Sequence, residues 1–249
     1  MLVHRGTVTC AMLTVAALSA AGCGPDTDDR DVTAPHVSGV DGSGDLTLLF
    51  TETQLEKALL DANELPGGGR QVSKDRGTFN QVAGQSLEEG DRWADCPTGA
   101  KNDLLELSTF RARSVVQQLL PSYREQAAGR GTLTETVLSM TEVRANRYFE
   151  LKRAIYKGCP KTAVDSEAGP PQTYRYTAED VELGDDAFVE KSESRDTDAD
   201  PADRGPSYEI YVRIGGVIVT SGGWKDRDAA LAATATAAKK ARTMLYPDS

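Results

Sequence analysis

Histidine is almost absent from this chain of 249 residues, which has only two. Hydrolases with a Ser-His-Asp or Cys-His arrangement, and zinc sites built on imidazole, need a histidine that the fold holds in place. Only His36 lies beyond the first 22 residues, in a stretch rich in glycine, proline and aspartate. We therefore assign no catalytic residue, no metal ligand and no cofactor from the sequence, and we expect no enzymatic activity.

Long apolar runs are scarce as well. No segment beyond the first residues approaches the roughly 20 apolar residues that a membrane-spanning helix needs. The apolar stretch over 11–18 is too short for that purpose, and it lies between Arg5 and a series of small residues that ends at Cys23. A positive charge, a short apolar core and a small-residue cleavage site are the layout of a secretory signal. We therefore expect residues 1–22 to be a signal peptide.

The residues around Cys23 indicate a lipid anchor. Ala-Ala-Gly directly before this cysteine resembles a bacterial lipobox, in which the cysteine thiol is acylated and becomes the new N-terminus, although Ala20 stands where leucine is usual. We predict that Cys23 is lipidated and that the protein lies on the outer face of the cell membrane. The alternatives are an ordinary cleaved signal with Cys23 left over, or Cys23 as a disulfide partner.

Basic residues are fewer than acidic ones, and the formal net charge is −10. An acidic surface repels nucleic-acid phosphates and anionic lipid headgroups. The charge therefore argues against a nucleic-acid partner and against a face that lies on the membrane. Attachment to the membrane is expected through the lipid at Cys23 alone.

Cysteine is limited to four residues, of which Cys10 lies in the signal peptide. Besides Cys23, this leaves Cys96 and Cys159. Two thiols in an exported protein predict a disulfide between them. A metal pair or a nucleophilic thiol is the alternative, but neither has the partner residues that it would need.

Composition divides the remaining chain into a tether and one domain. Residues 24–44 are rich in Gly, Pro, Asp, Ser and Thr and nearly lack large apolar side chains. Such a segment buries too little surface to order itself. We therefore predict that 23–44 holds the lipidated cysteine and a disordered tether, and that 45–249 forms one domain.

Within that domain, helical and strand patterns alternate in blocks. Capping boxes begin a helix near Thr51, a broad apolar face supports one over Glu142–Lys157, and an alanine-rich helix covers about Asp226–Leu245. Strands are expected at 71–73, 78–82, 110–119, 133–140, 173–183, 187–192 and 208–221. This order predicts an α+β fold, an antiparallel sheet of about six strands with helices packed on it and one disulfide.

The clearest local signal is a hairpin around Gly215-Gly216. Two glycines between alternating strands suit a two-residue primed turn, which needs positive φ. The predicted facing pairs are Ile214 with Val217, Val212 with Val219, and Arg213 with Ile218.

One acidic stretch resembles a calcium site. Asp196, Asp198 and Asp200 alternate like the start of a calcium loop, but Pro201 and Ser207 occupy positions where that loop needs glycine and glutamate. We interpret the three aspartates as part of a solvated acidic loop.

The two tryptophans, Trp93 and Trp224, could line a pocket. We interpret them as core packing, because a tryptophan next to a disulfide usually belongs to the core.

Several of these features, in this order, resemble one known family. They are Ala-Leu-Leu-Asp-Ala-Asn-Glu-Leu-Pro-Gly-Gly (58–68), Cys96-Pro97, the helix that closes on Gly158-Cys159-Pro160, and the late hairpin before an alanine-rich helix. Together they are similar to actinobacterial lipoproteins built on a PknH-type extracellular sensor domain, over about 46–246.

The resemblance implies an α+β fold with a cleft that binds an extracellular ligand. The kinase sensor has two disulfides and this chain has cysteines for one, and no family binding residue maps onto a matching motif. We therefore expect a non-catalytic, sensor-like binding domain whose ligand-binding residues are unknown. The alternatives are an envelope-assembly factor that binds another protein, and a carboxylate-based hydrolase of cell-wall sugars.

Overall fold

The computed structural model describes residues 34–42, 45–80, 96–166, 169–194 and 205–248. The signal peptide, Cys23, Trp93 and the acidic residues 196–201 lie outside these ranges. What the sequence predicts for them stays a prediction. Among the described residues, no helix combines the length and the apolar character that crossing a membrane requires.

One antiparallel sheet organises the domain, in the order β1-β2-β3-β8-β7-β6-β5-β4. Its strands are β1 (Gly69–Asn80), β2 (Arg111–Pro121), β3 (Leu133–Ser139), β4 (Lys161–Ser166), β5 (Gly169–Asp180), β6 (Asp186–Ser194), β7 (Pro206–Ile214) and β8 (Val217–Trp224). The predicted α+β class is confirmed. The sheet has eight strands where about six were expected.

The strand that no predicted range covers is β4, at one edge of the sheet. The sequence predicted no strand between the helix that closes on Gly158 and residue 173, yet β4 and β5 form a hairpin there. Pro170 and Pro171 precede Tyr174, where the described pairing of β5 with β6 begins. Proline lacks an N–H donor and is therefore tolerated where a strand has one neighbour.

Among the residues that the structure describes, five α-helices accompany the sheet: α1 (Glu52–Ala58), α2 (Thr98–Ser108), α3 (Tyr123–Ala127), α4 (Glu142–Gly158) and α5 (Arg227–Leu245), with a 3-10 turn at Ala62–Glu64. Thr51 and Gln54 form the predicted capping box of α1. The Asp226 side chain accepts from the Ala229 N–H at 3.1 Å and caps α5. The short α3 lies between the strands predicted at 110–119 and 133–140, where the sequence analysis placed no helix.

Each face of the sheet has its own core. Helices α1 and α5 cover the face that carries Val115, Val137 and Val219, and the alanines of α5 allow a close approach. Helices α2 and α4 belong to the opposite face, where Phe149 and Phe188 pack edge to face at 5.2 Å. This division follows from the alternation of side chains along each strand.

The predicted β7–β8 hairpin is confirmed in register as well as in position. Gly215 has a φ of +54°, as a primed turn requires. A Cβ on Gly216 would lie 2.2 Å from the Met140 carbonyl oxygen, so only glycine fits there. The pairs are Ile214 with Val217, Val212 with Val219, and Arg213 with Ile218.

The folded domain begins earlier than the sequence suggested, and the tether predicted up to residue 44 is too long. Val37 and Val40 are buried, and Ser38 forms a parallel bridge with Gly184. The Asp41 carboxylate accepts from the Arg213 guanidinium at 2.7 and 2.8 Å. These partners are distant in the sequence, so the composition of this polar stretch gave no sign of them.

The disulfide between Cys96 and Cys159 is present, as predicted, with the two Cα atoms 5.5 Å apart. It joins the segment before α2 to the residue that ends α4. The cross-link therefore fixes the C-terminal end of α4 to the helix packed beside it.

A glutamic acid is buried beneath α1. Glu135 on β3 has no exposed surface, and its Oε2 accepts from the Leu60 N–H at 3.1 Å and from the Gln117 amide at 2.6 Å. Burial raises the pKa of the Glu135 carboxyl to about 7, although the two hydrogen bonds act in the opposite direction. The folded state therefore retains a proton that the unfolded chain releases near pH 4.5.

We expect Glu135→Gln to remove a pH dependence of stability. The native carboxyl binds a proton between about pH 4.5 and 7 and the unfolded one does not, so the free energy of unfolding falls as the pH rises through this window. The free energy of unfolding of the variant, relative to that of the wild type, should therefore rise by about 3 kcal/mol from about pH 4.5 to 8. Urea unfolding across this range measures it, with the exposed Glu182→Gln as control. A wild-type–variant difference that is constant with pH would contradict the expectation.

Candidate functional site

A polar cavity of about 260 Å³ lies on the sheet face that also carries the α2–α4 core. Four neighbouring strands, β3, β8, β7 and β6, form it. Its lining consists of hydroxyl groups, carboxylates and glycines, contributed by Thr134, Thr136, Glu190, Ser192, Ser207, Tyr208, Glu209, Thr220, Gly222 and Gly223. We call this cavity the acidic pocket.

Strand register brings these residues together. Thr136 pairs with Thr220, and Glu209 pairs with Gly222, so residues two apart on each strand share the floor of the pocket. A Cβ on Gly222 would lie 3.2 Å from the Glu209 Cγ. Glycine at this position therefore leaves the space that the glutamate side chain occupies.

Two carboxylates lie next to each other in the floor. Glu190 and Glu209 are directly opposite across β6 and β7, which places their Cβ atoms about 4.5–5.5 Å apart. Glu190 is only 8% exposed, and Glu209 is half-buried. Burial raises the pKa of the Glu209 carboxyl, and the neighbouring Glu190 charge raises it further, while a hydrogen bond from Tyr211 lowers it.

One cation from α4 approaches this pair. The Lys152 ammonium donates to Glu190 Oε2 at 3.2 Å and to the Tyr156 hydroxyl at 2.6 Å, and that hydroxyl donates to the same carboxylate. Its Nζ lies 4.7 Å from the ring centroid of Tyr211. Burial is the largest single influence and would lower the pKa of Lys152, but the surrounding groups, Glu190 first among them and Glu209 included, together outweigh it and the pKa is raised, so the lysine is charged.

The pocket therefore brings two carboxyl groups together beside one cation among the described residues. Lys152 and Tyr156 engage Glu190, whereas the described contact of Glu209 is the Tyr211 hydroxyl. Threonine and serine hydroxyls around the carboxylates can donate or accept. Within the described ranges, no three acidic, histidine or cysteine side chains converge to hold a metal ion. Such a floor suits a ligand that brings hydrogen-bond donors or a positive charge.

Sequence reasoning assigned no ligand-binding residue, and it missed this site. One signal was available, because Lys152 lies in the apolar stripe of α4 and one turn before Tyr156. A charged residue in such a stripe is rarely buried unless it is paired. The pairing of Glu190 with Glu209 had no comparable signal, since it depends on the register of two strands that are separated by a long acidic stretch of sequence.

Cys96, Cys159 and Trp224, which the sequence singled out and the structure describes, have structural roles. Cys96 and Cys159 cross-link the end of α4 three residues beyond Tyr156. Trp224 is fully buried and donates from Nε1 to the Gly131 carbonyl at 2.8 Å, so its interpretation as core packing is confirmed.

Comparison with known proteins gives a likeness at the level of fold. No family model matches the chain, and no curated protein matches it. Among solved structures, the extracellular domain of PknH from Mycobacterium tuberculosis is similar, with 9% sequence identity and a TM-score of 0.49. The match covers 79% of this chain and 99% of that chain. A likeness at this level does not indicate what either protein binds.

Proposed function

We propose that this protein is an extracytoplasmic lipoprotein whose folded domain is a non-catalytic binding module. Its site is the acidic pocket, and its ligand is a small polar molecule that carries an ammonium group. The observation that supports this most directly is the pair of carboxylates, Glu190 and Glu209, with Lys152 bound to the first of them.

The arrangement of the carboxylates favours binding over hydrolysis of a sugar. In glycosidases, two carboxyl groups flank the scissile bond, about 5–10 Å apart, on either side of the substrate. Here Glu190 and Glu209 stand side by side on adjacent strands of one floor. Glu190 is also held by Lys152 and Tyr156 and is nearly buried, which leaves Glu209 as the carboxylate that a ligand can reach.

An ammonium group is the ligand chemistry that this floor complements. It supplies a charge opposite to that of Glu209, and its three N–H donors can reach the carboxylate and the hydroxyls of Thr136 and Thr220 around it. Hydrogen bonds between charged partners are about twice as strong as neutral ones. A neutral ligand of the same shape would gain neither the charge attraction nor the stronger hydrogen bonds.

The test compares charged probes with neutral probes of the same size. Glucosamine and putrescine should raise the melting temperature, whereas glucose and 1,4-butanediol should not. At ten times the Kd, linkage gives about 1.4 kcal/mol, or roughly 3–6 °C. Glu209→Gln should abolish the shift, and the exposed Glu182→Gln should leave it intact. Binding should also weaken as the pH falls through the raised pKa of Glu209.

Two outcomes would contradict the proposal. Equal shifts for the charged and neutral probes would mean that the carboxylates do not select the ligand. Cleavage of a cell-wall oligosaccharide by the wild type, lost in Glu209→Gln, would make the pocket an active site.

The anchoring part of the proposal has a separate test. The signal-like residues 1–22 and the Ala-Ala-Gly-Cys sequence support acylation of Cys23. Mass spectrometry of the membrane fraction should find an N-terminal peptide with a diacylglyceryl group on Cys23, and Cys23→Ala should move the protein to the aqueous fraction. A mature chain that begins at another residue would rule out the anchor.

A further inference from the structure

A second cavity, also about 260 Å³, opens where β2 begins and β3 ends. Three arginines line it, Arg111, Arg113 and Arg144, together with the exposed Leu49. Leu46 lies beside it, because its carbonyl accepts from the N–H of the first residue of α4 at 3.1 Å. We call these five residues the arginine–leucine patch.

The three arginines are not neutralised by the protein as far as the structure describes it. Arg111 donates to the Ser108 and Phe110 carbonyls at 2.9 Å, and Arg113 to the Phe50 carbonyl at 3.3 Å. The guanidinium of Arg144 lies 5.1 Å from the ring centroid of Phe110. Across the described ranges, no carboxylate comes within ion-pair distance of any of the three. In a chain of net charge −10 this is a local concentration of positive charge.

Apolar side chains are exposed next to these charges. Leu46 is 49% exposed and Leu49 is 47% exposed, and Val143 in the first turn of α4 is 68% exposed. Large apolar side chains grouped at a surface and rimmed by polar residues mark an interaction site. Leucines beside arginines are the combination that suits a membrane interface, since the apolar part enters the acyl boundary and the cations meet the headgroups.

The patch lies at the end of the domain where the chain enters it. Residues 34–42 dock there through the Asp41–Arg213 ion pair, and Glu142 at the start of α4 shares a hydrogen bond with Asp41. From Cys23 to Ala34 the extended chain spans at most roughly 40 Å. The acidic pocket lies towards the other end of β3. Thr134, which lines the acidic pocket, and Ser139, which lines the second cavity, are about 17 Å apart along the strand.

We propose that the arginine–leucine patch rests on the membrane, with Leu46 and Leu49 in the headgroup–acyl boundary and the three arginines on the phosphates of anionic lipids. The orientation of the patch towards the membrane rests on the proposed anchor at Cys23. This arrangement reverses the expectation from net charge, because a local cluster of cations decides which face meets an anionic surface. The acidic pocket then points away from the membrane.

The test uses the chain from residue 24 onward without lipid, since every described helix and strand lies within 34–248. It should sediment with vesicles of equal parts phosphatidylglycerol and phosphatidylcholine, but not with phosphatidylcholine alone, and about 0.5 M NaCl should weaken binding. An arginine near an anionic surface contributes about five-fold in partitioning. Replacing all three with glutamine should therefore lower binding by about 100-fold, and Leu46→Ser with Leu49→Ser by about tenfold.

A matched control uses the same residue types elsewhere. Arg70 and Val72 are exposed on β1 near the far end of β2, and Arg70→Gln with Val72→Ser should leave binding unchanged. An equal loss in this control, or equal binding to both vesicle types, would overturn the proposal. The proposal would also be overturned if the protein does not bind vesicles but shows a thermal shift with inorganic phosphate that depends on the three arginines. Because the chain lacks the lipid, vesicle binding that depends on the patch would stand even if Cys23 proves unmodified.

Discussion

Replacing Cys96 and Cys159 together with serine is expected to lower the free energy of unfolding by about 4 kcal/mol. The two residues are 63 positions apart, and a cross-link over such a loop removes conformational entropy from the unfolded chain, which gives this magnitude in the loop-closure estimate. The native packing of α2 on α4 remains, so the variant should fold but be much less stable.

Urea unfolding at pH 7 measures this difference. The reduced wild type serves as the control, because it has lost the same cross-link without a change of side chain, and it should unfold close to the double variant. The end of α4 also positions Tyr156, so the double variant should bind the ammonium probe more weakly. A loss below about 1 kcal/mol would mean that the cross-link contributes little to the stability of the fold.

Lys152→Met is expected to lower the free energy of unfolding by about as much as the loss of the disulfide, because it leaves Glu190 buried without its cation. The removal of one partner of a buried ion pair typically costs about 3–5 kcal/mol. Lys152 and Glu190 are both 8% exposed and the described cations near Glu190 are limited to this lysine. The Tyr156 hydroxyl would remain as a donor to the carboxylate.

A double-variant cycle separates the ion pair from the packing of the side chain. Glu190→Gln in the Lys152→Met background should recover most of the lost stability, since no buried charge is then left unpaired. Lys157→Met on the same helix is the matched control, and because Lys157 is exposed, it should change the unfolding free energy by less than about 0.5 kcal/mol. If the double variant is no more stable than Lys152→Met alone, the broken ion pair is not the cause of the lost stability.

The parts of the fold that could be predicted from the sequence have local causes. The capped helices and the β7–β8 hairpin depend on residues within one turn of each other, such as Asp226 with Ala229 and the glycines 215 and 216. The packing of Val37 and Val40 depends on distant partners, and it was missed. The edge hairpin of β4 with β5 was missed as well, because a sequence that contains Gly-Pro-Pro at 169–171 is not typical of a strand.

The candidate site was harder to predict than the fold for the same reason. Glu190 and Glu209 meet only because β6 and β7 pair in one register, and nothing near either residue specifies that register. Net charge is equally silent about how the charges are distributed over the surface. A sum over the chain contains no information about Arg111, Arg113 and Arg144, which converge from β2 and α4.

The most direct measurement of the central claim is a titration of the isotope-labelled domain with putrescine, followed residue by residue through the backbone amide chemical shifts. The account predicts saturable shifts at Thr136, Glu209 and Thr220 in the acidic pocket, none of them present in Glu209→Gln, and no shift at Leu49 or Arg113 in the arginine–leucine patch. Shifts spread over exposed carboxylates throughout the surface, or centred anywhere but this pocket, would contradict it.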